Sequence, residues 1–186
     1  GSVPNPGLSW EKTRMINAGV RVELKKILDI ELEYYDNVTS DMLSKIYVSR
    51  VLSSDRISSN IGRMRNTGIE LSLSSTNFAR RNFTWTTNFN MAHNTNKILE
   101  LYNGVPTSFG SYAWMEGYDS QTWNLVRWAG VDPSDGSPMW YDKNGNVTRT
   151  FSTANRVPGK TRTPLLSGGL VNNLSWKNWT FSFQIN

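Results

Sequence analysis

The chain has 186 residues, with 20 Lys+Arg against 15 Asp+Glu and a net charge of +5. Aromatics fill 12% of it and charged residues only 19%, which excludes a disordered chain and an Ala/Glu/Lys/Leu-rich helical bundle. The absence of cysteine excludes disulfides, Cys-ligated zinc, iron–sulfur clusters and thiol nucleophiles.

No run approaches roughly 18 consecutive apolar residues, so no helix spans a membrane, but a membrane β-strand needs only about ten alternating residues. The positive excess is spread along the chain. Its densest part, Arg56, Arg63 and Arg65, is interleaved with Ser and Asn, and nucleic acid is not an expected partner.

Gly1-Ser2 has the form of an expression scar, leaving residues 3–186 as one unit. From Ile16 the even positions read Ile16, Ala18, Val20, Val22, Leu24, with Asn17, Gly19, Arg21 and Glu23 between them. Beyond Lys25-Lys26 the alternation resumes as Leu28, Ile30, Leu32, Tyr34 against Asp29, Glu31, Glu33. A period of two on both sides of a short polar break predicts a β-hairpin.

A second hairpin follows. Ile69, Leu71 and Leu73 alternate with Glu70, Ser72 and Ser74; after a polar connection around Asn77–Asn82 come Phe83, Trp85, Phe89 and Met91. The third has Leu166, Gly168, Leu170, Leu174 and Trp176, a turn at Lys177-Asn178, then Trp179, Phe181, Phe183 and Ile185. Gly168-Gly169 inside that run predicts a bulge or bend.

Short turns close the hairpins, whereas long connections, at about 38–64 and 95–163, join them. That asymmetry is the pattern of an outer-membrane barrel. Face chemistry alone does not choose between a barrel and a soluble sandwich, because an apolar face meets either lipid or a core.

Four segments narrow the choice. The chain opens with Asn5-Pro6-Gly7-Leu8-Ser9-Trp10-Glu11. Asn60-Ile61-Gly62 then precedes Asn66-Thr67-Gly68-Ile69-Glu70-Leu71. The return strand carries Trp85, Asn88-Phe89-Asn90, Asn94, Asn96-Lys97-Ile98 and Leu101. The long connection holds Trp128-Ala129-Gly130-Val131-Asp132-Pro133, then Gly136, Pro138, Asp142 and Asn144-Gly145. In this order and spacing the chain resembles the C-terminal half of the barrel of SusC/RagA-type TonB-dependent outer-membrane transporters, from about Asn5 onward.

The resemblance implies a barrel of about 22 strands with a plug, placed in the outer membrane of a Gram-negative bacterium and energised through TonB. It further implies a SusD-like surface lipoprotein as partner and glycans, or peptides, as cargo. The chain holds no plug, TonB box or carboxypeptidase-like extension and stops at Gln184-Ile185-Asn186, so it reads as a segment. The expected fold is all-β: an antiparallel sheet of β-hairpins, an incomplete sector of a large outer-membrane β-barrel. Some six strands cannot close a barrel, which needs about eight. The edges are therefore expected to stay open, or to be satisfied by a second copy or a rearranged sheet.

No cofactor, metal or catalytic residue is expected. His93 is placed where the second hairpin gives way to a loop. Asp29, Glu31 and Glu33 share a strand face at about 6.6–7 Å spacing, within the range of an inverting carboxylate pair, but a polar wall balanced by Arg21 explains them better. Asp142-Lys143-Asn144-Gly145-Asn146 lacks the spacing and terminal Glu of a calcium loop and reads as a hairpin turn; Asp132-Pro133-Ser134-Asp135-Gly136 reads as a turn too. Five N-x-S/T sequons match chance for 20 Asn and 37 Ser+Thr.

The candidate ligand- or partner-binding residues lie in the long connection: Tyr112, Trp114, Tyr118, Asp119, Trp123, Asn124, Arg127, Trp128, Trp140 and Tyr141. Aromatic faces stack on the C–H faces of sugar rings, while Asp, Asn and Arg bond their hydroxyls. Two rivals remain: a soluble carbohydrate-binding β-sandwich using the same aromatics, and a glycan hydrolase piece using Glu31 and Glu33.

Overall fold

The computed structural model describes residues 7–47, 56–60 and 62–186. The expected scar, the first two residues of the Asn5-Pro6 leader and Ile61 lie outside them. The described chain contains no α-helix. It divides into two units, residues 1–96 with 164–186, and residues 97–163.

The first unit carries β1 (Lys12–Leu24), β2 (Leu28–Ser40), the short β3 (Leu43–Tyr47) and β4 (Arg56–Asn60), and β5 (Gly62–Arg80). After β5 comes β6 (Phe83–Leu101), whose last residues enter the second unit. That unit holds β7 (Thr107–Ser108), β8 (Ala113–Trp114), β9 (Thr122–Val126), β10 (Trp128–Val131), β11 (Pro138–Tyr141), β12 (Val147–Thr148) and β13 (Arg156–Thr161). The chain then returns to the first unit as β14 (Leu166–Trp176) and β15 (Trp179–Ile185).

The six long strands form one antiparallel sheet in the order β1-β2-β5-β6-β14-β15. Register follows the alternation: Val20 faces Leu32, which faces Leu71, while Arg21 faces Glu31, which faces Ser72. At the other side Leu174 lies between Trp85 and Phe181. A one-residue slip would transfer every apolar side chain to the opposite face, so the period of two determines the pairing.

The apolar face is left uncovered. Val20 is 57% exposed, Phe181 63% and Trp179 75%, and β1 and β15 are exposed at every position. A soluble sandwich would cover this face with a second sheet. Among the described residues none does, which removes the support for the sandwich reading. The two outer strands each pair on one side only, so the edges stay open and the hairpin order is kept.

All three short turns lie at one end. Lys25 and Lys26 both adopt left-handed backbone (φ 51° and 56°), and the Ile27 amide bonds the Leu24 carbonyl at 2.9 Å. That double positive φ matches the right-handed twist of the strands it joins. The second turn is tighter than the polar Asn77–Asn82 stretch suggests, because β5 continues to Arg80 and only Arg81-Asn82 turn. Strands also run further into the expected connections, β2 to Ser40, β5 from Gly62 and β6 to Leu101. His93 therefore sits inside β6, opposite Leu166, and not at a loop edge.

Gly168-Gly169 makes neither bulge nor bend: β14 keeps unbroken register on β6 through both residues. The glycine serves close approach instead, since a Cβ on Gly168 would lie 2.5 Å from the Asn90 carbonyl oxygen. At the end opposite the turns, Asn60 joins two of the family-like segments. Its side chain accepts from the Ser9 amide and donates to the Ser9 carbonyl, both at 2.9 Å, and donates to the Asp41 carbonyl at 2.6 Å. Glu11 accepts from the Leu43 amide at 2.6 Å.

Candidate functional site

The second unit is built around Ile98, which is fully buried, with Leu101 and Ala113 also buried. Ile98 exchanges backbone bonds with the Met115–Tyr118 turn: its amide donates to Tyr118 and its carbonyl accepts from Gly117, at 2.8 and 2.9 Å. Glu116 accepts from the Leu101 amide at 2.8 Å. The end of β6 is thus the post on which this connection is wound, and the segment expected as one long loop is a set of small sheets. These are β7 with β8, β9 with β13, and β10-β11-β12.

Two aromatic groups result. In one, Phe109 stacks on Tyr112 (5.4 Å, 17°) and tilts against Trp114 (5.2 Å), with the Arg162 guanidinium 4.9 Å over the Tyr112 ring. A bridge between Tyr112 and Trp123 ties this group to β9. In the other, β10 and β11 bring Trp128 opposite Trp140, edge to face at 5.9 Å, and Phe151 packs on Trp140 at 5.4 Å. Beside them Arg127 lies 5.1 Å from the Tyr141 ring, and its carbonyl accepts from the Tyr141 amide at 2.9 Å.

Of the ten candidates, Trp128, Trp140, Arg127 and Tyr141 come together, and Tyr112, Trp114 and Trp123 form the second group. Trp128, Arg127 and Tyr118 are exposed, and the other seven are half-buried. Asp119 shapes its own turn, with its carboxylate accepting from the Gln121 amide at 2.6 Å and its carbonyl from Thr122. Asn124 donates its amide to the Ser111 carbonyl at 2.9 Å. Phe109, Phe151 and Arg162 were not singled out by the Tyr/Trp pattern; counting phenylalanine with the other aromatics would have found the first two.

A cleft of about 410 Å³ lies against the β9–β13 pair, lined by Trp123, Leu125, Val126, Arg127, Val157, Pro158, Gly159 and Lys160. Its wall is mostly apolar, with two cations. Such a cleft suits an apolar or aromatic group next to a negative or hydrogen-bonding one.

Two turns stiffen the unit. Asp132 accepts from the Ser134 hydroxyl (2.6 Å) and amide (2.9 Å) and pairs with Arg149, which also bonds Asp135 at 3.0 Å. The Ser134 bonds, followed by Arg149, hold the Asp132 carboxyl down at about 2. Asp142 accepts from the Asn144 and Asn146 amides at 2.8 Å, which lowers its pKa, the Asn146 bond first. These carboxylates serve as turn acceptors. Gly145 (φ 87°) completes the β11–β12 hairpin, where Tyr141 faces Val147.

On the polar face of the sheet, Asp29 is held by Arg21 through paired bonds of 2.9 and 2.5 Å. Glu31 stands opposite Arg21 and Ser72, and Glu33 opposite Gly19 and Glu70.

Residues 1–186 match the family described as TonB dependent receptor-like, beta-barrel. TonB-dependent receptor P39 of Formosa agariphila is 33% identical over 114 residues, 61% of this chain and 11% of that protein. TonB-dependent receptor SusC of Bacteroides thetaiotaomicron is 25% identical over 97% of this chain and 20% of its own length. The chain therefore spans no more than about a fifth of these relatives. Among solved structures, the RagAB peptide transporter superposes with a TM-score of 0.88 at 26% identity, covering 99% of this chain and 22% of that one. Uncovered apolar face, open sheet edges and profile agree: the chain is an incomplete sector of barrel wall and belongs to the TonB-dependent receptor-like β-barrel family, of SusC/RagA type.

Proposed function

We propose that the protein to which this segment belongs imports oligomeric nutrients, glycans or peptides, across the outer membrane of a Gram-negative bacterium. In this reading the six strands are barrel wall, with the apolar face toward lipid and the Arg21/Asp29/Glu31 face toward the lumen. The unit of residues 97–163 stands on the outer side and meets cargo or a SusD-like lipoprotein through Trp128, Trp140, Arg127 and Tyr141 and through the Trp123 cleft. TonB supplies the energy, and the chain carries no catalysis.

The observation that carries this reading is the exposed apolar face of a sheet whose polar face is equally ordered. A membrane barrel is the setting that makes both faces stable. The name of the RagAB relative adds peptides to the cargo classes to be tested.

The test is uptake of labelled oligopeptides and oligosaccharides by cells expressing the full-length protein. Uptake of one class is expected, lost on deleting the gene, on depleting TonB and on removing the SusD-like lipoprotein. Uptake of both classes unchanged in the gene deletion would overturn the proposal.

A further inference from the structure

We propose that the joined β5–β6 and β14–β15 turns bind the phosphates of anionic phospholipids in the leaflet they reach. This rests on the barrel reading above, since only there does this end of the sheet meet lipid headgroups.

The two turns touch: the Lys177 amide donates to the Asn82 carbonyl at 2.9 Å. Arg80 and Arg81 directly precede Asn82, so three cations crowd one pair of turns. They are uncompensated. No carboxylate occurs from Leu71 to Leu99 or from Pro164 to Asn186, and among the described residues none of the three has an acidic partner. The first turn differs, because Lys25-Lys26 is flanked by Glu23 and Asp29.

Beneath the cations lies an aromatic layer. The Arg80 guanidinium sits 5.6 Å from the Phe78 ring, which meets Phe83 edge to face at 5.6 Å. The Lys177 ammonium sits 5.2 Å from the Trp176 ring, and Trp179 beside it is 75% exposed. Rings of this kind settle at the headgroup level, and long cationic side chains stacked on them reach outward to the phosphates. A zwitterionic headgroup offsets its own phosphate with an ammonium, so the preference is for lipids of net negative charge.

The test is native mass spectrometry of the full-length protein, titrated with phosphatidylglycerol or phosphatidylethanolamine. Phosphatidylglycerol should be retained in preference, and R80Q/R81Q/K177Q should weaken its retention by roughly fivefold per charge removed, about 100-fold in all. The charge-conserving R80K/R81K should retain it. Equal retention of the two lipids, no loss in the triple variant, or equal loss in R80K/R81K would each overturn the proposal. Heat-modifiable electrophoretic mobility separates the two readings: a protein that forms no barrel in the outer-membrane fraction defeats the barrel reading itself.

Discussion

Tyr35 on β2 lies across its register partner Gly68 on β5, and its hydroxyl donates to Asn94 Oδ1 on β6 at 2.8 Å. A Cβ on Gly68 would come within 2.5 Å of the ring's Cζ and hydroxyl and 2.7 Å of the His93 carbonyl oxygen. Missing side chain and large ring thus fit one another, and a single residue ties three strands. Gly68→Ala should destabilise the barrel by about 1–3 kcal/mol through overpacking. Tyr35→Phe should cost about 1 kcal/mol for the lost hydrogen bond. Urea unfolding of the full-length protein, followed by heat-modifiable mobility, checks both; an unchanged midpoint for Gly68→Ala would contradict the close contact.

Asn172, only 6% exposed, accepts from Trp85 Nε1 at 2.9 Å and from Thr87 Oγ1 at 2.7 Å. Removing the acceptor strands two donors. Asn172→Ala should cost about 1–3 kcal/mol, and Thr87→Val paired with Asn172→Leu should recover part of it. The same unfolding assay reads this, with recovery as the diagnostic outcome.

Trp140 packs between Trp128 and Phe151, whereas Trp128 stands largely free on the surface. Trp140→Ala should lower the stability of the unit by about 2 kcal/mol, from two ring pairs of roughly 1 kcal/mol each. Trp128→Ala breaks only the first of those pairs, so it should cost about 1 kcal/mol, half as much, and weaken cargo capture. Thermal unfolding and uptake, measured on both variants, separate the roles; a Trp128→Ala protein with normal uptake would remove that ring from the site.

The Asp132 turn predicts a pH response. Its carboxyl lies at about 2 when folded against 3.8 ordinarily, a depressed value, so its stabilisation is present above pH 4 and lost as the pH falls from about 4 toward 2. The Ser134 amide, bonded to the carboxylate, and the Asp132 and Gly136 amides of the same turn should therefore exchange slowly at neutral pH and lose protection in that acid window. Because the Ser134 hydroxyl is the largest cause and Arg149 contributes further, Ser134→Ala and Arg149→Gln should each move the transition to higher pH. Hydrogen-exchange mass spectrometry at a series of pH values checks this, and an unmoved transition in Ser134→Ala would refute it.

The three hairpins are legible in the chain because a period of two is a local property: each residue's side follows from its neighbours. Their ends are less so. Ser40, Arg80 and Leu101 continue strands through polar residues that resemble loop, since the neighbouring strand supplies the hydrogen bonds. Gly168-Gly169 resembles a bulge in sequence and is straight strand, because what it accommodates is the backbone at Asn90 and Met91. Trp128 and Trp140 stand out by type, but their contact depends on a register shift between Trp128 and Gly130 that no local pattern announces.

What the amino-acid order determined by itself is the two-faced sheet, the position of its short turns, and four spaced segments that mark the family. Tertiary structure alone decided that none of the described residues covers the apolar face, that Tyr35 closes over Gly68, and that Arg80, Arg81 and Lys177 share one corner. Those outcomes depend on which strands become neighbours. Strand pairing joins residues tens of positions apart, and its energy comes from whole faces meeting, not from any one residue's preference.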